Sequence, residues 1–201
     1  MYLLENPFTY PYNDWQLKKD NPQVSFPKPL TDSARASCGM LPVVEIAKPA
    51  YDTYTQVCEE FPPVFVEANS QWEQSWAVRG MTETELNTAL NNAKDPKRNE
   101  IRTAFEAVEN SPVEVNTVFW NGGYESAQKL DGAKRMAEML SQTSVTFYDV
   151  DNIGHTLTIL EAEVIITTIG MDYQTKFTNK QTKMVAIDNA TTLEELDGIV
   201  W

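Results

Sequence analysis

The sequence predicts an α+β fold, with a small Pro-rich antiparallel β module at the N-terminus, a helical hinge and a C-terminal α+β domain that contains short strands and a long helix. Ten of the eleven prolines lie at or before Pro96, and nine lie at or before Pro63. This distribution excludes long helices from the first part of the chain. We therefore expect a Pro- and aromatic-rich β module for attachment at residues 1–80, a helical linker at 81–96, and the α+β domain at 97–201.

Within the β module, turn-forming residues leave room for two short helices, at residues 13–20 and 31–37. Residues 54–79 carry strand-forming side chains in partial alternation, which predicts a meander of two or three antiparallel strands. Pro62-Pro63 must either break the first strand or place it at an edge, because proline cannot donate to a strand ladder.

Two helices are expected around the hinge. Thr82 and Glu85 match a capping box, which predicts the start of the first helix. Asp95-Pro96 is expected to end that helix and to begin a second one, since proline is tolerated in a first turn. Ile101 and Phe105 then lie on one face of the second helix.

The C-terminal domain is predicted to alternate short strands with amphipathic helices. A second capping box, Thr158 with Glu161, opens a helix of about residues 159–189. A last short helix begins at Thr192, again with a glutamate three residues on, Glu195. The remaining expected elements are strands at 113–115 and 118–120 around an Asn116-Thr117 turn, a helix at 126–140, and strands at 145–149 and 155–158.

Charge and composition exclude several classes of function. With 16 basic against 29 acidic residues, the net charge of -13 argues against binding to nucleic acid and to an anionic membrane surface. The longest apolar stretch, 159–171, is too short and too polar to cross a bilayer. We expect a soluble protein of a reducing cytoplasm, in which Cys38 and Cys58 are free thiols; a disulfide between them is the open alternative.

The sequence provides few groups for catalysis or metal binding. His155 is the one histidine, and it follows Asp149 and Asp151, so it is either a proton-transfer group or part of a turn; the turn is favoured. Residues 149–154 resemble the start of a calcium loop, but Ile153 stands where an oxygen ligand is needed. A turn in which the Asp and Asn side chains cap the backbone is the better interpretation. We therefore predict no catalytic residue, no cofactor and no metal, and a protein that is not an enzyme.

Aromatic residues are concentrated in the Pro-rich and strand regions. Tryptophan and tyrosine are common anchors of protein interfaces, although a small β module could also use them as its core. The candidate partner-binding residues are Tyr10, Tyr12, Trp15, Trp72, Trp76, Trp120 and Trp201.

The chain contains an ordered set of short motifs. In the second half they are 97–105, Pro112-Val113, Phe119-Trp120, Ser126-Ala127, Gly132-Ala133, 145–152, 155–158 and 191–201. This set resembles an uncharacterised domain of tailed-bacteriophage proteins. In the first half, residues 10–12, 16–27, Pro42-Val43, 49–52 and 71–76 resemble the N-terminal region of phage tail proteins that are associated with tail-fibre genes.

The resemblance implies a non-enzymatic phage tail protein that is assembled in the host cytoplasm and located in the virion tail. Its role would be that of a minor structural or adaptor component of the baseplate or tail fibre. Its partners would be tail-fibre or baseplate proteins, bound as a symmetric oligomer or in multiple copies. An assembly chaperone that caps the fibre protein or assists its trimerisation is the alternative, and a host-surface glycan hydrolase is a remote one.

Overall fold

A computed structural model describes the chain from Met1 to Trp201 and confirms the predicted α+β class. The chain divides into two compact units, Met1–Thr82 and Glu83–Trp201. The first unit contains β1 (Tyr2–Leu4), α1 (Asp14–Asp20), α2 (Asp32–Ser37), β2 (Met40–Val44), β3 (Gln56–Val66) and β4 (Gln71–Gly80). The second contains α3 (Glu83–Val108), β5 (Val113–Val115), β6 (Val118–Trp120), α4 (Tyr124–Met139), β7 (Ser144–Tyr148), β8 (Gly154–Thr158), α5 (Ile159–Asn189) and α6 (Leu193–Asp197).

The first unit is organised around a four-stranded sheet with the order β1-β2-β4-β3. The long strands β3 and β4 form an antiparallel pair, as the sequence predicts, and β1 pairs antiparallel with β2. The strands β2 and β4 run parallel to each other. Strands β1 and β2 come from the Pro-rich segment, for which the sequence predicted only short helices and turns.

The Pro62-Pro63 pair lies within β3, so these two prolines do not break the strand. Strand β3 lies at the edge of the sheet, and its register with β4 shifts between Phe61 and Val64. The edge position and the bulge explain how two prolines fit, because an edge strand needs ladder donors on one side only. The edge alternative of the prediction is therefore confirmed.

The two short helices cover the β1–β2 end of the sheet. Helix α1 begins with a capping box between Asn13 and Gln16, and Leu17 reaches a core that includes Tyr12 and Met40. The Arg35 guanidinium of α2 donates two hydrogen bonds to Asp14, at 2.9 and 2.8 Å. Such a bidentate ion pair fixes the distance between the two helices.

Helix α3 is continuous from Glu83 to Val108, with Pro96 in its interior. The prediction that one helix ends and another begins at Asp95-Pro96 is therefore wrong, and residues 83–96 of the predicted linker group with the second unit. Leu90 precedes Pro96 in the sequence and Ile101 follows it, and both side chains belong to the same core cluster. Packing along the whole length of α3 compensates for the hydrogen bond that proline cannot donate.

Two hairpins and α5 form the main core of the second unit. Asn116 and Thr117 turn the β5–β6 hairpin with φ values of 52° and 65°, as a two-residue turn of the favoured hand requires. Helix α5 begins with the predicted Thr158–Glu161 capping box. The buried residues of this cluster are Val113, Val115, Trp120, Phe147, Ala162, Ile165 and Ile169.

The C-terminus closes a second cluster between α3, α5 and α6. Leu196 of α6, which starts with the predicted Thr192–Glu195 capping box, packs with Ile187 and Leu90. The Trp201 ring contacts Phe105 of α3 at a centroid distance of 6.1 Å. No helix of the chain combines the length and the apolar character that crossing a bilayer requires.

Candidate functional site

An exposed group of aromatic rings lies on the sheet of the first unit. Phe65 of β3 and Trp72 of β4 are directly opposite each other in the ladder, and their rings meet edge to face at 5.6 Å. The Phe8 ring lies 6.0 Å from Trp72. Phe8 and Phe65 are about half exposed, at 48% and 50%, whereas Trp72 is partly buried beneath them. We call these three residues the Trp72 cluster.

A hydrogen-bond network holds the chain segment that contains Phe8 against the sheet. The Tyr10 hydroxyl donates to the Glu60 carboxylate. The Gln74 amide also donates to that carboxylate, at 2.8 Å, and its oxygen accepts the Ile46 N–H at 3.3 Å. Because Gln74 is buried, this network satisfies its polar atoms and fixes the positions of the three segments.

The ionisation of the network follows from these contacts. Desolvation, followed by the hydrogen bond to Glu60, raises the pKa of Tyr10 to about 12. The hydrogen bond from Tyr10, followed by that from Gln74, lowers the pKa of Glu60. At neutral pH Tyr10 is therefore protonated and Glu60 is ionised, and the Tyr10 hydroxyl donates its hydrogen bond to Glu60 within the first unit.

Next to the Trp72 cluster lies a groove of about 520 Å³. Phe8 belongs to both the groove and the cluster. The groove is lined by Phe8, Thr9, Tyr10, Pro11, Glu60, Phe61 and Pro62. Exposed aromatic rings beside a groove that also contains polar groups, here the hydrogen-bonded Tyr10 and Glu60, are typical of protein docking sites.

The other candidate aromatics occupy different environments. The Trp76 indole N–H donates to the Ile46 carbonyl at 2.8 Å, and the Lys48 ammonium lies 4.9 Å from its ring centroid. Trp15 is 68% exposed on α1, where Lys19 lies 5.2 Å from the ring centroid. Trp201 is 36% exposed and packs on Phe105.

Burial contradicts the predicted partner-binding role of two candidates, Tyr12 and Trp120. Tyr12 belongs to the core of the first unit, and its hydroxyl donates to Asp20 at 2.7 Å. Trp120 is only 2% exposed and lies in the main core of the second unit. Neither side chain presents a surface to a partner, because the hydrophobic gain of burying each ring is already realised inside the fold.

Asp149 and His155 form a structured turn between β7 and β8. One Asp149 oxygen accepts the N–H groups of Asp151 and Ile153, both at 2.9 Å, and the other lies 2.8 Å from His155 Nε2. The His155 contact and the backbone donors lower the pKa of Asp149. The expected capping role of Asp149 is confirmed, because its carboxylate accepts hydrogen bonds from two backbone N–H groups of the turn.

Phe8 and Phe65 are not among the residues that the sequence predicts to bind a partner, whereas the buried Tyr12 and Trp120 are. The spacing of Phe65 and Trp72 around a tight turn is a signal that two rings share one sheet face. Phe8 has no equivalent signal, because a loop and the Tyr10–Glu60 contact place it beside Trp72.

Comparison with protein-family models gives one match, over residues 92–200, to the family described as Domain of unknown function (DUF4376). The match covers more than half of the chain. The chain belongs to the DUF4376 family. The DUF4376 residues include most of α3 and all of α4, α5 and α6, and the Trp72 cluster precedes them in the sequence. No curated protein and no solved structure matches the chain.

Proposed function

We propose that this DUF4376 protein is a non-enzymatic tail protein of a tailed bacteriophage. In this role it is a minor structural or adaptor component of the baseplate or tail fibre. The ordered motifs of both halves, which resemble phage tail proteins, support the assignment to a virion. The observation that carries the binding role is the exposed Trp72 cluster beside its groove.

The geometry of the Trp72 cluster suits a partner that presents apolar side chains. The Phe8 and Phe65 rings are about half exposed, and the Tyr10–Glu60–Gln74 network holds the segment that contains Phe8 in place. A surface that is already ordered loses little conformational entropy when a partner binds. The net charge of -13 favours a partner with neutral or basic groups around the apolar contact.

Quantitative mass spectrometry of gradient-purified phage particles, beside the crude lysate, tests the proposal. A structural or adaptor component is expected in particles at a fixed ratio to a known tail protein, as the symmetry of a tail requires. Abundance in the lysate together with depletion from particles would instead identify an assembly chaperone. A variable trace amount in both would contradict either role.

The partner can be identified in the same particles by chemical cross-linking. We expect cross-links from the first unit, Met1–Thr82, to a tail-fibre or baseplate protein, because the Trp72 cluster lies in this unit. Cross-links to a partner from the second unit only would contradict the assignment of the binding role to the Trp72 cluster.

A further inference from the structure

Helix α5 has a long exposed face that carries no charge. Its opposite face is buried in the second unit through Ala162, Ile165, Ile169 and Ile187. From Val164 to Val185, every exposed residue of the helix is uncharged. This is unusual for a chain with a net charge of -13, because the solvent face of a helix normally carries charged side chains.

Eight of the exposed residues of α5 follow a heptad pattern, with alternating intervals of four and three. The set, which we call the α5 seam, is Leu160, Val164, Thr167, Met171, Gln174, Thr178, Gln181 and Val185. The seam is about 38 Å long at the helical rise of 1.5 Å per residue. An interval that averages 3.5 residues keeps these side chains on one line, as in the a and d positions of a coiled coil.

Flanking threonines repeat with the same seven-residue period. Thr168, Thr175 and Thr182 each donate a hydroxyl hydrogen bond to the carbonyl four residues earlier, at 2.7, 2.8 and 3.0 Å. Their donors are therefore satisfied within the helix. Covering such hydroxyls costs less than covering groups whose only partner is water.

We propose that the α5 seam is a self-association surface, on which α5 of a second copy of this chain packs parallel and in register. The proposal does not depend on the function proposed above. The partner is a second copy because the seam is self-complementary: each heptad position meets its own equivalent across a symmetry axis.

Charge supports a second copy at this position. Two chains of net charge -13 repel each other over most of their surfaces, whereas the seam brings no like charges together. Two of the three basic residues of α5, Lys176 and Lys180, have partners in their own unit. Lys176 pairs with Asp172 at 2.6 Å, and Lys180 lies 4.0 Å from the Phe105 ring centroid.

The order of apolar and polar positions supports the parallel orientation. In a parallel pair Leu160, Met171 and Val185 each meet the same apolar residue, and Gln174 and Gln181 each meet a glutamine. An antiparallel pair centred on the seam would place Met171 against Gln174 and Val164 against Gln181. Parallel packing avoids these mixed layers, which leave an amide facing an apolar side chain.

The surface of the seam also contains a depression that a side chain can enter. Its volume is about 360 Å³. Gln174, Phe177, Thr178, Gln181, Thr182 and Val185 line it. In a coiled coil, each side chain of one helix enters a hole formed by residues of the facing helix, and consecutive seam residues with their flanking neighbours form such a hole.

Sedimentation velocity of the full chain over a wide concentration range tests the proposal. We expect wild-type protein to form dimers or trimers as its concentration rises. The double variant Met171→Glu, Thr178→Glu is expected to weaken association by more than about tenfold, since it places like charges in two layers of the seam. Both residues are exposed, so circular dichroism should show unchanged helical content.

The matched control is the double variant Thr103→Glu, Ala107→Glu, which adds the same charge at exposed positions of α3. It is expected to associate as the wild type does. A wild-type chain that stays monomeric at every concentration, or a seam variant that assembles like the control, would overturn the proposal.

Mixing variants tests whether equivalent residues meet. Met171→Glu and Met171→Lys proteins should each associate weakly by themselves, and an equal mixture should recover association through an opposite-charge layer. Absence of recovery would place position 171 away from its own equivalent, against the proposal.

Cross-linking tests the orientation. In a Cys38→Ser, Cys58→Ser background, Val185→Cys should form disulfide-linked dimers under mild oxidation, because a parallel pair brings the two thiols within reach. Ala107→Cys in the same background is the control and should not. If Val185→Cys cross-linked only to Leu160→Cys, the helices would be antiparallel and the proposed arrangement wrong.

Discussion

At the residue scale, Asp149 is the side chain whose role is most fully defined by its contacts. It is buried, and it accepts hydrogen bonds from two backbone N–H groups while it pairs with His155. His155 in turn lies 5.2 Å from the Trp120 ring of the main core. The carboxylate therefore links the β7–β8 turn to the packing of the second unit.

We expect Asp149→Asn to lower the free energy of unfolding at neutral pH, because the backbone N–H groups and His155 would then hydrogen-bond a neutral amide instead of a charged carboxylate. The pKa of Asp149 lies below its usual value of 3.8, so the stabilisation is present above that pH and is lost as the pH falls through the lowered pKa. Urea unfolding of both proteins over a pH series measures this difference. A difference that grew on acidification would contradict the assigned sign.

Phe65 allows a direct test of the Trp72 cluster. We expect Phe65→Ala to weaken binding to a tail partner by about 1–3 kcal/mol, while the stability of the first unit changes little because half of the ring is already in solvent. Calorimetry with the cross-linked partner measures the loss. Phe119→Ala is the matched control, since this strand phenylalanine of the second unit is also 50% exposed. Equal losses for both variants would argue against a role specific to the cluster.

At the element scale, α3 shows how packing overrides a local break signal. Besides the shared core cluster, charged contacts hold α3 beside the end of α5. Arg98 pairs with Asp188 at 2.6 Å, and Lys94 donates to the Asp188 carbonyl at 2.9 Å. These contacts lie on both sides of Pro96, so they keep the helix continuous across the position where the N–H is missing.

We therefore expect Pro96→Ala to raise the stability of the second unit by about 1–3 kcal/mol, because alanine restores an intrahelical donor and has a high helix propensity. Hydrogen exchange should slow for amides in the middle of α3, and thermal unfolding should shift upward. A variant with lower stability would instead mean that the fold depends on a local distortion at the proline.

At the scale of the whole molecule, each unit contains its own hydrophobic core. The core around Tyr12, Leu17 and Met40 is made by residues of the first unit only. Both larger clusters are made by residues of the second unit only. Such a division is the structural criterion for a domain that can fold by itself.

A fragment of residues 83–201 is accordingly expected to fold without the first unit, with strong helical circular dichroism and one cooperative thermal transition. The fragment 97–201 serves as the comparison, and it should be less stable because it lacks Leu90 of the second cluster. An unfolded 83–201 fragment would show that the first unit is required for the fold of the second.

The candidate site was less accessible to sequence analysis than the fold. Trp72 was identified because it is an aromatic residue. Aromatic character does not show, however, that Phe65 is half exposed and Trp120 is buried. Exposure depends on which elements cover a side chain, and those elements come from distant parts of the sequence. The α5 seam was likewise not identified from the sequence, because it mixes apolar residues with threonine and glutamine. Only the exposure of these positions in the structure distinguishes them from the rest of the helix.

By itself, the sequence of this protein determined the features that depend on neighbouring residues. The capping boxes at Thr158 and Thr192, the Asn116-Thr117 turn and the bounds of α5 result from hydrogen bonds and steric preferences within a few residues. Only the tertiary structure decided that β1 and β2 join the sheet, that α3 passes through Pro96, and that Tyr12 and Trp120 are core. These outcomes depend on burial between segments distant in sequence, and the free energy of that burial exceeds local preferences.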